Sequence, residues 1–231
     1  MRSDKLPRLL RPFGFGDSAL IVAIDGPAGA GKSTVARSLA QRLGFRYLDT
    51  GAMYRALTWL ALQRGLPLGD GAPLGALALE NPVTFDEAGR VFIGDADVTS
   101  AIRQSRVDRV VSVVAGHHEV RDVMRERQRE LAQAGDAVIE GRDIGTVVAP
   151  QAEVKVYLVA DVNVRAARRQ SERPDIGTDA LVTDMRVRDN SDRVRMQRAD
   201  DAEEIDTTEL EIDEVVARIE ALVRARSLVG Q

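Results

Sequence analysis

Residues 19–34 read ALIVAIDGPAGAGKST, and this stretch decides the fold. Residues 19–25 form a short apolar run rich in β-branched side chains, which is typical of a buried strand. Residues 26–33 match the pattern G-x-x-x-x-G-K-[ST] at every fixed position. From Lys32 to Leu43, apolar residues recur at helical spacing. The pattern therefore lies between a strand and a helix, which is the context of a phosphate-binding P-loop.

The residue types of this loop suit the phosphates of ATP or GTP. Glycines let consecutive backbone N–H groups point inward around a phosphate, and the following helix adds its positive N-terminal end. Lys32 is expected to bring a positive charge to the β- and γ-phosphates, and Ser33 to offer its hydroxyl to Mg²⁺. A Gly-rich turn that only connects two elements is the structural alternative. The residues expected to bind the nucleotide are Gly26, Pro27, Ala28, Gly29, Ala30, Gly31, Lys32, Ser33 and Thr34.

The rest of the chain indicates an α/β fold. The further strands are expected at 45–48, 136–140, 154–159 and 203–207. The further helical patterns are expected at 52–64, over 100–134, from 163, after a polar stretch at 173–179 up to Arg198, and at 212–226. Strands that alternate with helices favour a core of about five parallel strands flanked by helices.

Residues 65–98 interrupt this alternation. Gly, Pro and Leu crowd residues 65–82, and two short alternating runs flank Asp86-Glu87-Ala88-Gly89, which predicts a β-hairpin. We therefore expect a small antiparallel insert at about 65–98. Residues 1–18 have no clear period, and we expect a disordered N-terminal extension followed by one folded domain over 19–231.

Composition and charge argue against several classes of function. The net charge of −4 disfavours a broad nucleic-acid-binding surface, and no apolar run approaches the ~18 residues that span a bilayer. The chain has no cysteine and only two histidines, so thiolate and His-rich metal sites are not expected. The lack of cysteine fits a reducing compartment, and we expect a cytoplasmic protein.

Arginines are concentrated between residues 165 and 198. This segment holds nine of the 29 arginines, whereas the whole chain has three lysines. Arginine suits phosphoryl transfer because its planar fork binds phosphate through two N–H groups and stays charged. A solvated helix face with i,i+4 partners is the alternative, but the acidic residues here are too few to pair every arginine. The segment favours a small-molecule kinase over a GTPase, whose guanine motif N-K-x-D is absent.

Two further polar clusters follow core strands. The first is DTGAMYR at 49–55, after the second strand, and the other is EGRD at 140–143, after the third core strand. Turns at the carboxyl ends of parallel strands lie in the ligand crevice of such sheets. The carboxylate and arginine of the second cluster are either a structural ion pair or a pair that reads a base.

Four motifs in this order resemble those of the bacterial cytidylate kinases, which phosphorylate CMP and dCMP: IDGPAGAGKST, LDTGAMYR, EGRDIGTVV and RDNSDRVR. The resemblance runs from about Ala19 to Val223. It implies a five-stranded parallel sheet, a monophosphate-binding insert and a mobile lid, placed here at about 165–182. It also implies transfer of the γ-phosphoryl group of ATP to CMP or dCMP, with Mg²⁺. We expect a monomer that needs no nucleic-acid or membrane partner.

The resemblance further implies roles for individual residues. The acceptor-binding residues are Thr50 near the pyrimidine ring, Tyr54 and Arg55 in the monophosphate pocket, Ser112 at the cytosine, Arg121 at the acceptor phosphate, Arg142 and Asp143 at the base edge and pocket, and Arg188, Asp192 and Arg195 at the phosphate and sugar. The catalytic residues are Lys32, Arg142, Arg165 and Arg169, of which the last two would belong to the lid.

Glu140 departs from the family pattern, which usually has Asp before Gly-Arg-Asp. It ends a core strand beside the phosphate loop, where, with Ser33, it is expected to hold the metal or a metal-bound water. The longer side chain keeps the charge and leaves the composition of the metal shell open.

Two rival functions stay open at this point. The first is a P-loop kinase for another small acceptor, such as UMP, AMP or shikimate. Asp143 favours CMP, because the amine at C4 of cytosine can donate to a carboxylate whereas the carbonyl of uracil cannot. The second is a regulatory nucleotide-binding module, which the arginine-rich segment disfavours because a pure binder needs few γ-phosphate cations.

Overall fold

A computed structural model of the protein describes residues 19–86, 89–172, 176–193 and 195–229. The extension expected at 1–18 lies outside the described residues, as do residues 87–88 at the tip of the predicted hairpin and residues 173–175 in the segment expected to form the lid.

Two sheets are present in the described part of the chain. Their strands are β1 (Ile21–Asp25), β2 (Arg46–Asp49), β3 (Val83–Phe85), β4 (Val91–Ile93), β5 (Ala96–Asp97), β6 (Ala137–Gly141), β7 (Val154–Val159) and β8 (Glu203–Asp206). The large sheet has the order β2-β6-β1-β7-β8, and all of its neighbouring strands are parallel. The small sheet has the order β3-β4-β5 and is antiparallel.

Helices surround the large sheet and connect it to the small one. They are α1 (Lys32–Leu43), α2 (Thr50–Gln63), α3 (Gly71–Glu80), α4 (Ser105–Asp108), α5 (Val111–Val114), α6 (His118–Gln133), α7 (Val162–Glu172), α8 (Thr178–Asp192) and α9 (Ile212–Val229), with a 3₁₀ turn at Ala101–Arg103 and a π-helical turn at Ile144–Val148. Within the described ranges, no helix is both long and apolar enough to cross a membrane.

The parallel core agrees with the prediction from the sequence. All five predicted core strands are present, and α1 has the predicted bounds. Strand β1 lies at the centre and is fully buried, which explains its continuous apolar run. The strand register places Asp25 beside Gly141 and Asp49 beside Glu140. The polar ends of β1, β2 and β6 therefore meet at one edge of the sheet.

The insert contains the predicted hairpin, formed by β3 and β4, and also a helix that the sequence did not reveal. Helix α3 is rich in small residues, and Gly71, Pro73 and Gly75 hid its helical pattern. Gly75 permits close packing against α6, because an added Cβ at this position would lie 2.8 Å from the Cβ of Glu119. Packing therefore outweighs low helix propensity here.

Two predicted helical regions differ in the structure. The pattern over 100–134 is divided among a 3₁₀ turn and three α-helices, because Gly116 and the extended backbone of His117 separate α5 from α6. The helix predicted to reach Arg198 was wrong in its end, since α8 stops at Asp192. Beyond this point the Arg195 guanidinium donates to the carbonyl of Ser191 at 3.0 Å and to the carboxylate of Asp192 at 2.7 Å, which caps the helix.

Candidate active site

The P-loop joins β1 to α1 and has a backbone that only glycine adopts readily. Gly26, Gly29 and Gly31 have φ angles of 144°, 77° and 89°. Gly26 also lies against β7, where an added Cβ would be 2.2 Å from the carbonyl oxygen of Leu158. Gly31 precedes α1 and has no side chain to cap it. The first N–H groups of the helix are therefore left for an anion.

A cavity of about 970 Å³ opens over the P-loop and the carboxyl ends of β2 and β6. It brings together most of the residues that the sequence singled out. These lining residues are Ala28, Gly29, Ala30, Gly31, Lys32, Ser33, Thr34, Thr50, Tyr54, Arg55, Ser112, Arg121, Glu140, Arg142, Asp143, Arg169, Arg188, Asp192 and Arg195.

Arg165 does not line this cavity. Its side chain is buried beneath the P-loop, where Nη1 donates to the carbonyl of Ala28 at 3.1 Å and Nη2 donates to Asp189 at 2.7 Å. Arg168, which sequence reasoning passed over, lines the cavity instead and donates to the carbonyl of Thr207 at 2.6 Å. The one-turn spacing of the two arginines on α7 gave no indication of which one faces the ligand.

Lys32 has a lower pKa than an ordinary lysine side chain. Its ammonium group donates to the carbonyl of Pro27 at 2.8 Å, within the P-loop itself. Burial, together with the positive charge of Arg142, lowers the pKa of Lys32 to about 7, although Glu140 and Asp25 act in the opposite direction. Phosphates bound in the loop would favour the charged form.

Glu140 and Ser33 form a set of hard oxygen donors beside the loop. The buried Glu140 carboxylate accepts from the hydroxyl of Tyr47 at 2.6 Å and also bonds to the side chain of Ser33. Burial raises the pKa of Glu140, and the charge of Asp49 adds to this effect. The described residues contain no cluster of three or more His, Cys, Asp or Glu side chains around one metal position. The donors suit an ion that keeps waters and nucleotide oxygens as ligands, as Mg²⁺ does.

Asp25 is a buried carboxylate that the sequence analysis did not single out. It accepts hydrogen bonds from the backbone N–H groups of Ile144 and Gly145, each at 2.8 Å. Burial raises its pKa to about 6 against these two hydrogen bonds. Because Asp25 directly precedes the P-loop, it ties the loop to the turn that carries Arg142 and Asp143.

The far end of the cavity is built around Asp143. Its carboxylate accepts from Arg121 at 2.8 Å and lies 3.5 Å from a guanidinium nitrogen of Arg125. Arg121 thus lies with Asp143 rather than with Arg55, whose guanidinium group pairs with Asp108. Gln128 of α6 is buried and also lines this end.

Thr50 contributes its side chain to the wall between the two ends. It is buried, and its hydroxyl donates to the carbonyl of Glu140 at 2.7 Å. The hydroxyl proton is therefore used within the fold, and the oxygen lone pairs are left to accept a hydrogen bond.

Positive charge accumulates between the P-loop and Asp143. Arg142 donates to the carbonyl of Gly26 at 2.6 Å, and its Nε lies 3.3 Å from the carboxylate of Asp192. Burial, together with the charges of Arg55 and Arg142, lowers the pKa of Arg188 to about 10. The buried Nε of Arg188 has no hydrogen-bond partner among the residues that are described. An anion bound here would relieve both the repulsion and the missing hydrogen bond.

A family profile for cytidylate kinase matches residues 22–225. The chain belongs to the cytidylate kinase family. It is 48% identical over 217 residues to the cytidylate kinase of Shouchella clausii, covering 89% of this chain and 96% of that relative. It is 50% identical over 212 residues to the cytidylate kinase of Exiguobacterium sibiricum, covering 87% of this chain and 95% of the relative. The family resemblance predicted from the four motifs is therefore confirmed.

The fold is shared more widely than the family. A shikimate kinase from Bacteroides thetaiotaomicron superposes with a TM-score of 0.50 at 16% identity, covering 90% of this chain and 99% of that one. This likeness supports the P-loop kinase fold alone. The predicted α/β core with a small antiparallel insert is confirmed.

Proposed function

We propose that this cytidylate kinase family member transfers the γ-phosphoryl group of ATP to CMP or dCMP, giving ADP and CDP or dCDP. The observation that carries the proposal is the continuity of the cavity, which joins the P-loop to an arginine cluster and to Asp143. A phosphoryl donor and a monophosphate acceptor can therefore occupy one enclosed space. A monomer and a cytoplasmic location belong to the same proposal.

The donor phosphates would lie in the P-loop, from Gly26 to Thr34. Lys32 would exchange its hydrogen bond with the carbonyl of Pro27 for the β- and γ-phosphate oxygens. Ser33 and Glu140 would hold Mg²⁺, directly or through its waters. The ion, when bound, would neutralise charge on the transferring phosphate.

The acceptor would lie in the remaining part of the cavity. Arg55, Arg142 and Arg188 line the part of the cavity proposed for its phosphate, and the charges of Arg55 and Arg142 help to lower the pKa of Arg188. Asp192, held by Arg195 at 2.7 Å, would accept a hydrogen bond from the sugar. Thr50, Tyr54, Ser112 and Asp143 would surround the base, and we assign Arg121 to the orientation of Asp143 because of their 2.8 Å contact.

The reaction requires alignment and charge neutralisation more than proton transfer. The acceptor oxygen belongs to an ionised phosphate, so no strong general base is needed for in-line attack on the γ-phosphorus. Arg169 of α7 would add positive charge to the transferring group. Arg165 would act from beneath the loop by fixing the carbonyl of Ala28, and closure of the segment that holds both arginines would exclude water.

Acceptor-dependent ADP release tests this function directly. With ATP and Mg²⁺, we expect strong ADP release with CMP and dCMP, weak release with UMP, and little with AMP or without an acceptor. A coupled spectrophotometric assay for ADP measures all five conditions. Turnover with another acceptor would keep the transfer chemistry and contradict the role of Asp143. Tight ATP binding without acceptor-dependent turnover would instead indicate a regulatory binding module.

Nucleotide binding is also expected to take up a proton near pH 8. In the nucleotide-free protein Lys32 has a pKa of about 7, so its side chain is mostly neutral at pH 8. Bound phosphates would raise this pKa and favour the ammonium form. The complex should therefore hold up to about one more proton than the free protein at pH 8, and the difference should shrink below pH 7. Titration calorimetry of ADP in buffers of different ionisation enthalpy measures the uptake.

The control for this titration is Lys32→Met, in which the uptake at pH 8 should disappear. Equal binding enthalpies in all buffers for the unmodified protein at pH 8 would contradict the assignment of the proton to Lys32.

A further inference from the structure

Asp108 is a buried carboxylate inside the cavity that joins two elements of the site. It is the last residue of the short helix α4 and is only 8% exposed. Its Oδ1 accepts from Arg55 of α2, at 2.8 Å from Nη2 and 3.2 Å from Nε. Its other oxygen, Oδ2, accepts a hydrogen bond from Arg169 of α7. One carboxylate therefore connects the proposed acceptor side to the proposed lid.

The geometry of these contacts is the one that a phosphate would use. Arg55 approaches Asp108 through two nitrogens of its fork, and Arg169 approaches from the opposite oxygen. Burial disfavours the charge of Arg55, but Asp108 and Asp49 outweigh this effect and raise the pKa of Arg55. The carboxylate thus supplies the negative charge that faces the two partly buried arginines.

We propose that Asp108 is a positioning residue that serves as an internal anion. It holds Arg55 and Arg169 together before the acceptor arrives and competes with the acceptor phosphate for both guanidinium groups. The identity of that acceptor rests on the proposed function, whereas the competition with an anion rests on the geometry alone. Asp108 would thereby keep the arginines aligned while it weakens the binding of any phosphate in this part of the cavity.

A purely structural role predicts the opposite change in affinity. If Asp108 only supports Arg55, its loss would disorder the phosphate site and weaken anion binding. If Asp108 competes with the anion, its neutralisation would strengthen anion binding, because a like charge would be removed from beside the phosphate. The sign of the effect therefore separates the two roles.

The test compares Asp108→Asn with the unmodified protein in titrations with inorganic phosphate. Asparagine keeps the size of the side chain and an oxygen acceptor but removes the charge. We expect phosphate to bind about tenfold more tightly to this variant. Phosphate affinity that is unchanged or weaker would overturn the proposal. The matched control is Asp213→Asn. Asp213 is exposed, forms an ion pair with Arg42 and does not line the cavity, so we expect the phosphate affinity of this variant to be unchanged.

Steady-state kinetics supply a second readout. The KM for CMP should fall in Asp108→Asn, and it should change more than the KM for ATP, because Arg55 contacts Asp108 through two nitrogens and Arg169 through one. A raised KM for CMP would indicate a scaffold role and overturn the proposal. If the unmodified protein does not phosphorylate CMP, the proposed function fails, yet the phosphate titration still decides the role of Asp108.

Loss of a buried charge can also destabilise the fold, so a stability measurement accompanies the titration. The melting temperature of Asp108→Asn should rise more with added phosphate than that of the unmodified protein, because phosphate takes the place of the carboxylate. Asp108→Glu, which keeps the charge, should respond as the unmodified protein does. Equal phosphate responses in the Asn variant and the unmodified protein would overturn the proposal.

Discussion

Lys32→Met is expected to lower kcat for CMP phosphorylation by about 10³-fold, which is the largest effect of any single change proposed for this protein. The ammonium group lies within the P-loop, where it donates to the carbonyl of Pro27 at 2.8 Å, and it faces the cavity. It is therefore available to follow the charge that develops on the transferring phosphate. Methionine keeps the length and apolar stem of the side chain, so that the packing of the loop is retained.

The matched control is Lys155→Met, which removes the same charge elsewhere. Lys155 binds Asp201 at 2.8 Å, and its side chain does not line the cavity. We expect its kcat to stay within about twofold of the unmodified protein. Initial rates at saturating ATP and CMP, with circular dichroism to check the fold, make the comparison. A kcat for Lys32→Met that is within tenfold of the kcat of the unmodified protein would contradict a role for Lys32 in the transition state.

The parallel core could be predicted because its signals are local. A continuous apolar run marks β1, and the P-loop pattern that follows fixes the strand-to-helix turn. Helix α3 could not be predicted in this way, because its glycines pack against Glu119 of α6, which lies far away in the sequence. The end of α8 likewise depends on Arg195, whose guanidinium reaches the carbonyl of Ala115 at 2.7 Å. Tertiary contacts outweigh propensity at both places.

The parts of the site that belong to a sequence motif could be predicted. The parts that form where residues distant in the sequence come into contact could not. Lys32 and Ser33 follow from the spacing of the P-loop alone. Asp108 lies 53 residues from Arg55 and 61 from Arg169, so no periodicity could reveal that it joins them. Arg165 and Arg168 lie three residues apart on α7, yet the first lies beneath the loop and the second lines the cavity. Such differences arise from tertiary packing, which cannot be predicted from the spacing of the arginines in the sequence.

Asp143→Ala is expected to remove most of the preference for CMP over UMP. The carboxylate is the proposed acceptor for the amine at C4 of cytosine, and its loss should lower kcat/KM for CMP by about 10²-fold. Arg121 and Arg125 would then lose their contact with this carboxylate, and their guanidinium groups would become available to the carbonyl at C4 of uracil. The kcat/KM for UMP should therefore fall much less than the kcat/KM for CMP, or should rise. Parallel kcat/KM measurements with both acceptors give the ratio.

Asp122→Ala is the matched control for this change. Asp122 lies on the same helix as Arg125, 3.8 Å from its guanidinium group, but it is exposed and does not line the cavity. Its removal should leave the CMP-to-UMP ratio unchanged, and ATP affinity should be unchanged in both variants because the P-loop is not altered. Equal losses for CMP and UMP in Asp143→Ala would mean that Asp143 anchors Arg121 without reading the base. A collapse of the ratio, with ATP affinity intact, would support base recognition by the carboxylate itself, since the supporting arginines remain in place.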